Sequence, residues 1–328
     1  MKDQNIIIPF DNGHNLDKTK HDCYENALTF LGALKPCSTD NILLYKGNYY
    51  QIGGGRNAIT DDNISDETTR IKTMVAIAKE LKNLGLTSAT IVLAVGLPLK
   101  EYGKKHQQLI DYYNSQKELT FVYEDIEYHV IIDKVVVCAQ GYAAVASRIE
   151  SFKKEKEDYL VVDIGSKTVD LAFFKAGIYS DKDSRTIPNA SIKWLQDIKN
   201  KVYETCSEDL DEDKIIKVLL ENGNNTHSLS NEVIDCINVT AKRIINDFIL
   251  ELAEKGYKLS STNIIFVGGG SQFIKKYSAK DFPNAEIIDD LKANAKGYEL
   301  IAKSILIHSG KEGGSPKYEN GKKKDPAA

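Results

Sequence analysis

The chain has 328 residues, 42% of them hydrophobic, which is enough to bury the cores of two domains. Its formal net charge of −4 offers no basic bias toward direct contact with nucleic acid, and no run approaches the roughly 20 apolar residues that span a bilayer. Cys23, Cys37, Cys138, Cys206 and Cys236 are scattered, with no Cys-x-x-Cys pair, which argues against a disulfide framework and a zinc knuckle; the expectation is a soluble protein of the reducing cytoplasm.

Residues 6–10 are apolar and read as a buried strand ending in Asp11-Asn12-Gly13, with His14, Asn15 and Lys18 just beyond. His14, His21 and Cys23 match no zinc spacing. Residues 27–31 and 41–52 read as further strands, the second broken by the hairpin turn Lys46-Gly47-Asn48. Gly53-Gly54-Gly55-Arg56 is either a flexible turn or a weak phosphate motif. Over 67–84, Ile71, Met74, Val75, Ala78, Leu81 and Leu84 recur at helical spacing and Gly85 supplies a stop, so this helix presents a core stripe rather than a binding site. A short buried strand follows at 90–95, then a polar helix over 102–116 and two or three strands over 119–137. Gln140 stands directly after the last strand, at an expected helix start. It is either an ordinary surface residue or one that projects into a cleft, where a glutamine can orient water for attack on a phosphate, as in small GTPases. The mixed-charge run 151–158 reads as an exposed linker into a second domain.

The stretch 159–174 is the centre of the pattern. Two apolar runs, 159–162 and 169–174, flank a polar turn and read as a hairpin of buried strands. Asp163 ends the first strand, Gly165 lets backbone N–H groups approach a ligand, Ser166 and Thr168 offer hydroxyls, and Lys167 and Asp170 complete the turn. An apolar strand thus ends in Asp-x-Gly twice. Two such loops facing each other would hold a polyphosphate from both sides, with Asp11 and Asp163 gripping a magnesium ion mainly through its retained waters. Turn residues and one strand are expected over 177–189, and helices over 192–206 and 212–220. The clearest helix spans 231–255: Ser230 caps it, Leu229 packs on Ile234 as a staple, Gly256 ends it, and its polar face carries Lys242 and Arg243. A buried strand at 264–267 ends in Gly268-Gly269-Gly270-Ser271, where the backbone needs either unusual dihedrals or contact with a flat ligand. A last helix opens at Asn294 and runs to 307, with Ala295 and Gly297 small enough for a close helix crossing. Residues 309–328, rich in Gly, Lys and Pro, are expected to be a disordered tail.

In their order along the chain, these segments resemble the actin-like ATPase superfamily, and most of all the ParM-like plasmid-segregation actins. Residues 11–18 and 163–170 correspond to its two phosphate loops, 135–145 and 294–302 to its connecting helices, 264–271 to its adenosine loop, and 53–56 to its Gly-x-Gly-Arg segment. The resemblance implies an α/β, actin-like (ribonuclease H-like) fold of two domains, each a mixed sheet flanked by helices, with a nucleotide cleft between them. Domain I would take residues 1–150 and 294–308, and domain II residues 151–293. It implies ATP and Mg2+ as cofactors, with the nucleotide held by Asn12, Gly13, His14, Asn15, Lys18, Gly165, Ser166, Lys167, Thr168, Asp170, Lys242, Gly268, Gly269, Gly270 and Ser271. Asp11 and Asp163 would serve the metal, and Gln140 would align the attacking water. It further implies assembly into filaments with ATP, release after hydrolysis, and separation of plasmid copies through a DNA-binding adaptor protein, without direct contact to nucleic acid or membrane. His14 and Ser166 depart from the family, which carries a small residue and a glycine there. Two rivals are a small-molecule kinase of the same superfamily, for which Asp170 is the candidate acid, and a non-hydrolysing cytoskeletal scaffold. A P-loop is disfavoured because Gly165-Ser166-Lys167-Thr168 lacks the upstream glycine arrangement.

Overall fold

Alternation along the strands dictates that both faces of each sheet must be covered. In one strand Ile91, Leu93 and Val95 face one core while Val92 and Ala94 face another; in a second strand Leu160, Val162 and Ile164 oppose Tyr159 and Val161 in the same way. A computed structural model describes residues 6–55, 66–220, 229–278, 282 and 285–309, so Arg56 and the expected tail, Ser309 apart, lie outside the described residues.

The first half comprises β1 (Ile6–Asn12), β2 (Leu16–Lys18), β3 (Cys23–Glu25), β4 (Leu28–Gly32), β5 (Ile42–Tyr45), β6 (Asn48–Ile52), α1 (Glu67–Asn83), β7 (Ser88–Leu97), α2 (Leu99–Asn114), β8 (Glu118–Tyr123) and β9 (Ile126–Ala139). A 3₁₀ turn (Ala143–Arg148) and α3 (Ile149–Glu155) cross to the second half. There follow β10 (Tyr159–Ile164), β11 (Thr168–Lys175), β12 (Ile178–Tyr179), β13 (Arg185–Pro188), α4 (Ser191–Cys206), α5 (Glu212–Leu220), α6 (Asn231–Glu254), β14 (Asn263–Val267), α7 (Ser271–Tyr277), β15 (Glu286–Ile287) and α8 (Ala293–Ser309).

The strands form two mixed sheets, ordered β3-β2-β1-β7-β9-β8-β5-β6-β4 and β12-β11-β10-β14-β15, with β13 on β11. Each has the same heart: a strand with a parallel neighbour on one side (β1 with β7, β10 with β14) and an antiparallel hairpin partner on the other (β2, β11). Helices α1 and α2 cover one face of the first sheet and α8 the other, and α4 to α7 cover one face of the second. The fold is the expected pair of mixed sheets flanked by helices.

Local chemistry explains the helix ends. Asp66 accepts from the Thr69 N–H at 2.8 Å to start α1, and Gly85, at φ +68°, lets the chain leave it. Ser230 accepts from the Val233 N–H at 3.3 Å to start α6. Replacing Ser230 with alanine should destabilise the protein by about 1 kcal/mol, read as a lower denaturant midpoint at unchanged slope.

The structure corrects three expectations. The run 151–158 is not an exposed linker: α3 occupies most of it, and Phe152, 1% exposed, stacks on Tyr159 at a ring separation of 4.0 Å and meets Phe174 edge-on at 5.3 Å. One aromatic among charged neighbours is enough to dock a two-turn helix. The connecting helix expected over 135–145 is strand up to Ala139; a turn at 140–142, where Gly141 has φ +74°, precedes the 3₁₀ segment, which breaks at Val145 (φ −110°, ψ 16°) before α3. Finally, the segment 177–189 holds two short strands, β12 and β13, rather than one.

Candidate functional site

The hairpins β1–β2 and β10–β11 carry their aspartates at the same register. Asp11 pairs across the ladder with Lys18 and Asp163 with Asp170, each seven residues on, so both acids stand one residue before the turn. The two turns open onto one cavity of about 630 Å³ between the sheets, a size in the range of small-molecule sites. Residues 11–15, Lys18, Gln140, Asp163, 165–168, Asp170, Gly268 and Gly269 all line it.

Asp11 is held on both oxygens: Oδ1 accepts from Gln140 Nε2 at 3.0 Å and from the Tyr298 hydroxyl at 3.2 Å, while Oδ2 accepts from Lys18 Nζ at 3.2 Å. Burial works against the Lys18 ammonium, but the adjacent Asp11 charge outweighs it and raises the lysine pKa. Asp163 accepts from Asn294 Nδ2 at 2.6 Å, and Asn294 Oδ1 in turn accepts the Gly141 N–H at 3.0 Å, so α8 joins the β10–β11 hairpin to the turn after β9 through one amide. Burial pushes the Asp163 carboxyl up to about 6, opposed by the Asn294 hydrogen bond and reinforced by the charge of Asp11. Asp170 is pushed up to about 7, chiefly by burial; its Oδ1 accepts from Thr186 Oγ1 at 2.5 Å and from the Leu99 N–H, the first of α2, at 3.2 Å. The turns are themselves braced, by Asn26 Nδ2 on the Gly13 carbonyl and by Ser191 Oγ on the Gly165 carbonyl at 2.9 Å.

Three expected site residues stand apart. Lys242 is exposed and does not line the cavity, because Ala241, Ile244, Ile245 and Phe248 turn the other face of α6 to the core. Gly270 and Ser271 also lie off the cavity wall, and Ser271 is 1% exposed. Two of the three glycines have a packing cause: Gly268 has φ +82° and a Cβ there would lie 2.5 Å from Asp163 Oδ1, while a Cβ on Gly270 would run into the Ile164 side chain. Sequence reasoning missed Asn294 and Tyr298 as site residues, since their partners lie 131 and 287 residues away. It also missed the apolar part of the cavity lining, to which Leu195, Ile216, Leu220, Phe273 and Leu291 contribute.

The donor set suits a polyphosphate: a lysine, turn amides, hydroxyls of Ser166 and Thr168, and two carboxylates on opposite walls. Among the described residues no group of three or more His, Cys, Asp or Glu converges as a metal cage. Asp11 and Asp163 therefore fit a hydrated divalent ion carried on phosphate oxygens, the mode that magnesium favours. No helix among the described residues is long and apolar enough to cross a membrane.

Residues 42–142 match the family model for the actin-like proteins N-terminal domain, and residues 161–278 match that for the archaeal actin homologue MreB-like, C-terminal. No curated protein sequence matches significantly. Among solved structures, the actin-like protein Alp7A superposes with a TM-score of 0.74 at 13% identity, covering 94% of this chain and 100% of that one. Bacillus thuringiensis ParM with AMPPNP gives 0.65 at 16% identity over 93% and 100%, and the Alp12 filament structure 0.65 at 17% over 92% and 99%. At such identities the likeness establishes the fold. The two family models match on either side of the crossover between the sheets, and the chain belongs to the actin-like proteins.

Proposed function

We propose that this protein is a filament-forming ATPase that assembles with ATP, disassembles after hydrolysis, and in doing so moves plasmid DNA apart in the cytoplasm. The observation that carries the reading is the convergence of two aspartate hairpins in equal register on one cavity, with Gln140 bonded to one of the two acids. The likeness to a ParM with AMPPNP supports a nucleotide in that cavity, and the likeness to an Alp12 filament supports self-association. Residues 1–150 with 294–308 would then move as one domain against 151–293. A net charge of −4 gives the chain no basic bias toward DNA, so an adaptor protein would supply that link.

Magnesium, when bound, neutralises phosphate charge and fixes phosphate geometry. The remaining work falls to the side chains described above. Lys18 and the turn amides of both hairpins would hold the phosphates, the apolar lining at Leu195 and Phe273 would take the base, and Asp11 and Asp163 would orient the waters of the ion. Because Gln140 Nε2 donates to Asp11, its Oε1 is left to accept a hydrogen bond from water and so to line that water up with a terminal phosphate.

Light scattering and pelleting with ATP, ADP or no nucleotide, run beside a phosphate-release assay, test this reading. Polymer should form with ATP, phosphate should follow slowly, and the ADP and nucleotide-free samples should stay in the supernatant. Equal sedimentation in all three would reject the assembly cycle.

A further inference from the structure

The first two turns of α1 read from sequence as a core stripe, yet one residue on that helix breaks the pattern. Lys72 is only 6% exposed, lines the cavity, and takes no hydrogen-bond or ion-pair partner among the described residues. A buried ammonium left in that state is costly unless something anionic completes it. Lys18 is in a different position, since its ammonium already rests on Asp11 at 3.2 Å. Thr68, one helical turn before Lys72 and on the same face, lines the same wall together with Thr69. The wall is also the positive end of a helix of 17 residues. Asp66, the one carboxylate at that end among the described residues that also lines the cavity, is committed to the Thr69 N–H as the helix cap. Behind Lys72 lies Asp17 on β2, fully buried, with Lys72 its strongest favourable charge and Asn26 a lesser favourable influence. The lysine thus has a buried carboxyl behind it, outside ion-pair distance, and the open cleft on the other side.

We propose that Lys72 and the first turn of α1 form a second phosphate subsite in the cleft, separate from the Lys18–Asp11 pair. The ligand chemistry is a phosphate group, either the terminal phosphate of the nucleotide or the inorganic phosphate that hydrolysis leaves behind. The subsite deepens the nucleotide reading given above and rests on it. In the absence of phosphate the charge of Lys72 favours the Asp17 carboxylate behind it; with phosphate present the lysine turns to the cleft, so the subsite distinguishes a triphosphate from a diphosphate through a single charge.

The test is equilibrium binding to the full chain, by calorimetry, of AMPPNP, of ADP, and of ADP with added inorganic phosphate, for the wild type, Lys72→Gln and Lys72→Arg. The Gln variant should lose about tenfold in AMPPNP affinity, the effect of one charge-assisted hydrogen bond, while its ADP affinity is unchanged and the Arg variant recovers most of the loss. Added phosphate that tightens ADP binding in the wild type but not in the Gln variant assigns the subsite to free phosphate as well; a response to AMPPNP alone assigns it to the esterified group. Equal losses for AMPPNP and ADP, or no loss for either, overturn the proposal. If Lys72→Gln does not fold, Thr68→Val must show the same selective loss, and its failure to do so overturns the proposal. Wild-type protein that binds neither nucleotide defeats the reading of the cleft itself, a result distinct from unselective losses in the variants.

Discussion

Replacing Gln140 with alanine should slow phosphate release about a hundredfold while nucleotide binding and ATP-dependent assembly persist. The side chain reaches the cleft because β9 continues to Ala139, the Gln140 N–H is tied to the Leu97 carbonyl at 2.9 Å, and Gly141 turns the chain away in a left-handed conformation. Its amide is then fixed by the 3.0 Å bond to Asp11, which orients the free oxygen. Alanine removes that oxygen but leaves Asp11 its bonds from Lys18 and Tyr298, so the fold should lose only about 1 kcal/mol. Single-turnover phosphate release, measured beside pelleting on the same samples, separates the two effects. Wild-type release rates in the variant would remove Gln140 from the chemistry, and loss of pelleting would show that it serves assembly instead.

What was legible in the sequence is what depends on short-range pattern. Continuous apolar runs gave the buried strands and the two turns that end in Asp-x-Gly; the register that sets Asp11 opposite Lys18 and Asp163 opposite Asp170 came from the structure. The cap at Ser230 and the stop at Gly85 were equally local. The rest depends on partners far apart in the chain. Nothing near Asn294 or Tyr298 says that these side chains will meet Asp163 and Asp11. Lys72 lies beside the apolar stripe of α1, where sequence periodicity gives a lysine no role, and only the position of β2 behind it and of the cleft before it supplies one. Lys242 fails in the opposite sense: the periodicity of α6 is obeyed, and it carries the lysine to solvent rather than to the cavity. Phe152 shows the limit of composition, since a mostly charged run was pinned by one ring.

The largest loss of stability is expected from Gly297→Val, about 3 kcal/mol or more. A Cβ at Gly297 would lie 3.1 Å from Ala143 Cα and far inside van der Waals contact with the Ala143 carbonyl, so backbone stands on both sides of the clash and no side chain can rotate to relieve it. Helix α8 would have to lift from the 3₁₀ segment, and the residues on either side of Gly297 are the ones that reach the cleft. Asn294, one turn before, bridges the Gly141 N–H to Asp163; Tyr298, the next residue, bonds Asp11 and tucks its hydroxyl against Gly96, where any Cβ would collide with it. The variant should therefore melt roughly 5–10 °C lower and bind nucleotide more weakly, because both acids lose a donor from the same helix. Gly103→Ala is the control: Gly103 lies within α2 with nothing within 4 Å of its would-be Cβ, so alanine there should raise stability by about 0.5–1 kcal/mol. Melting curves that moved together for the two variants would mean that the cost is general to helix glycines. Opposite shifts would tie it to the crossing of α8 on Ala143, the contact through which one helix positions both aspartates.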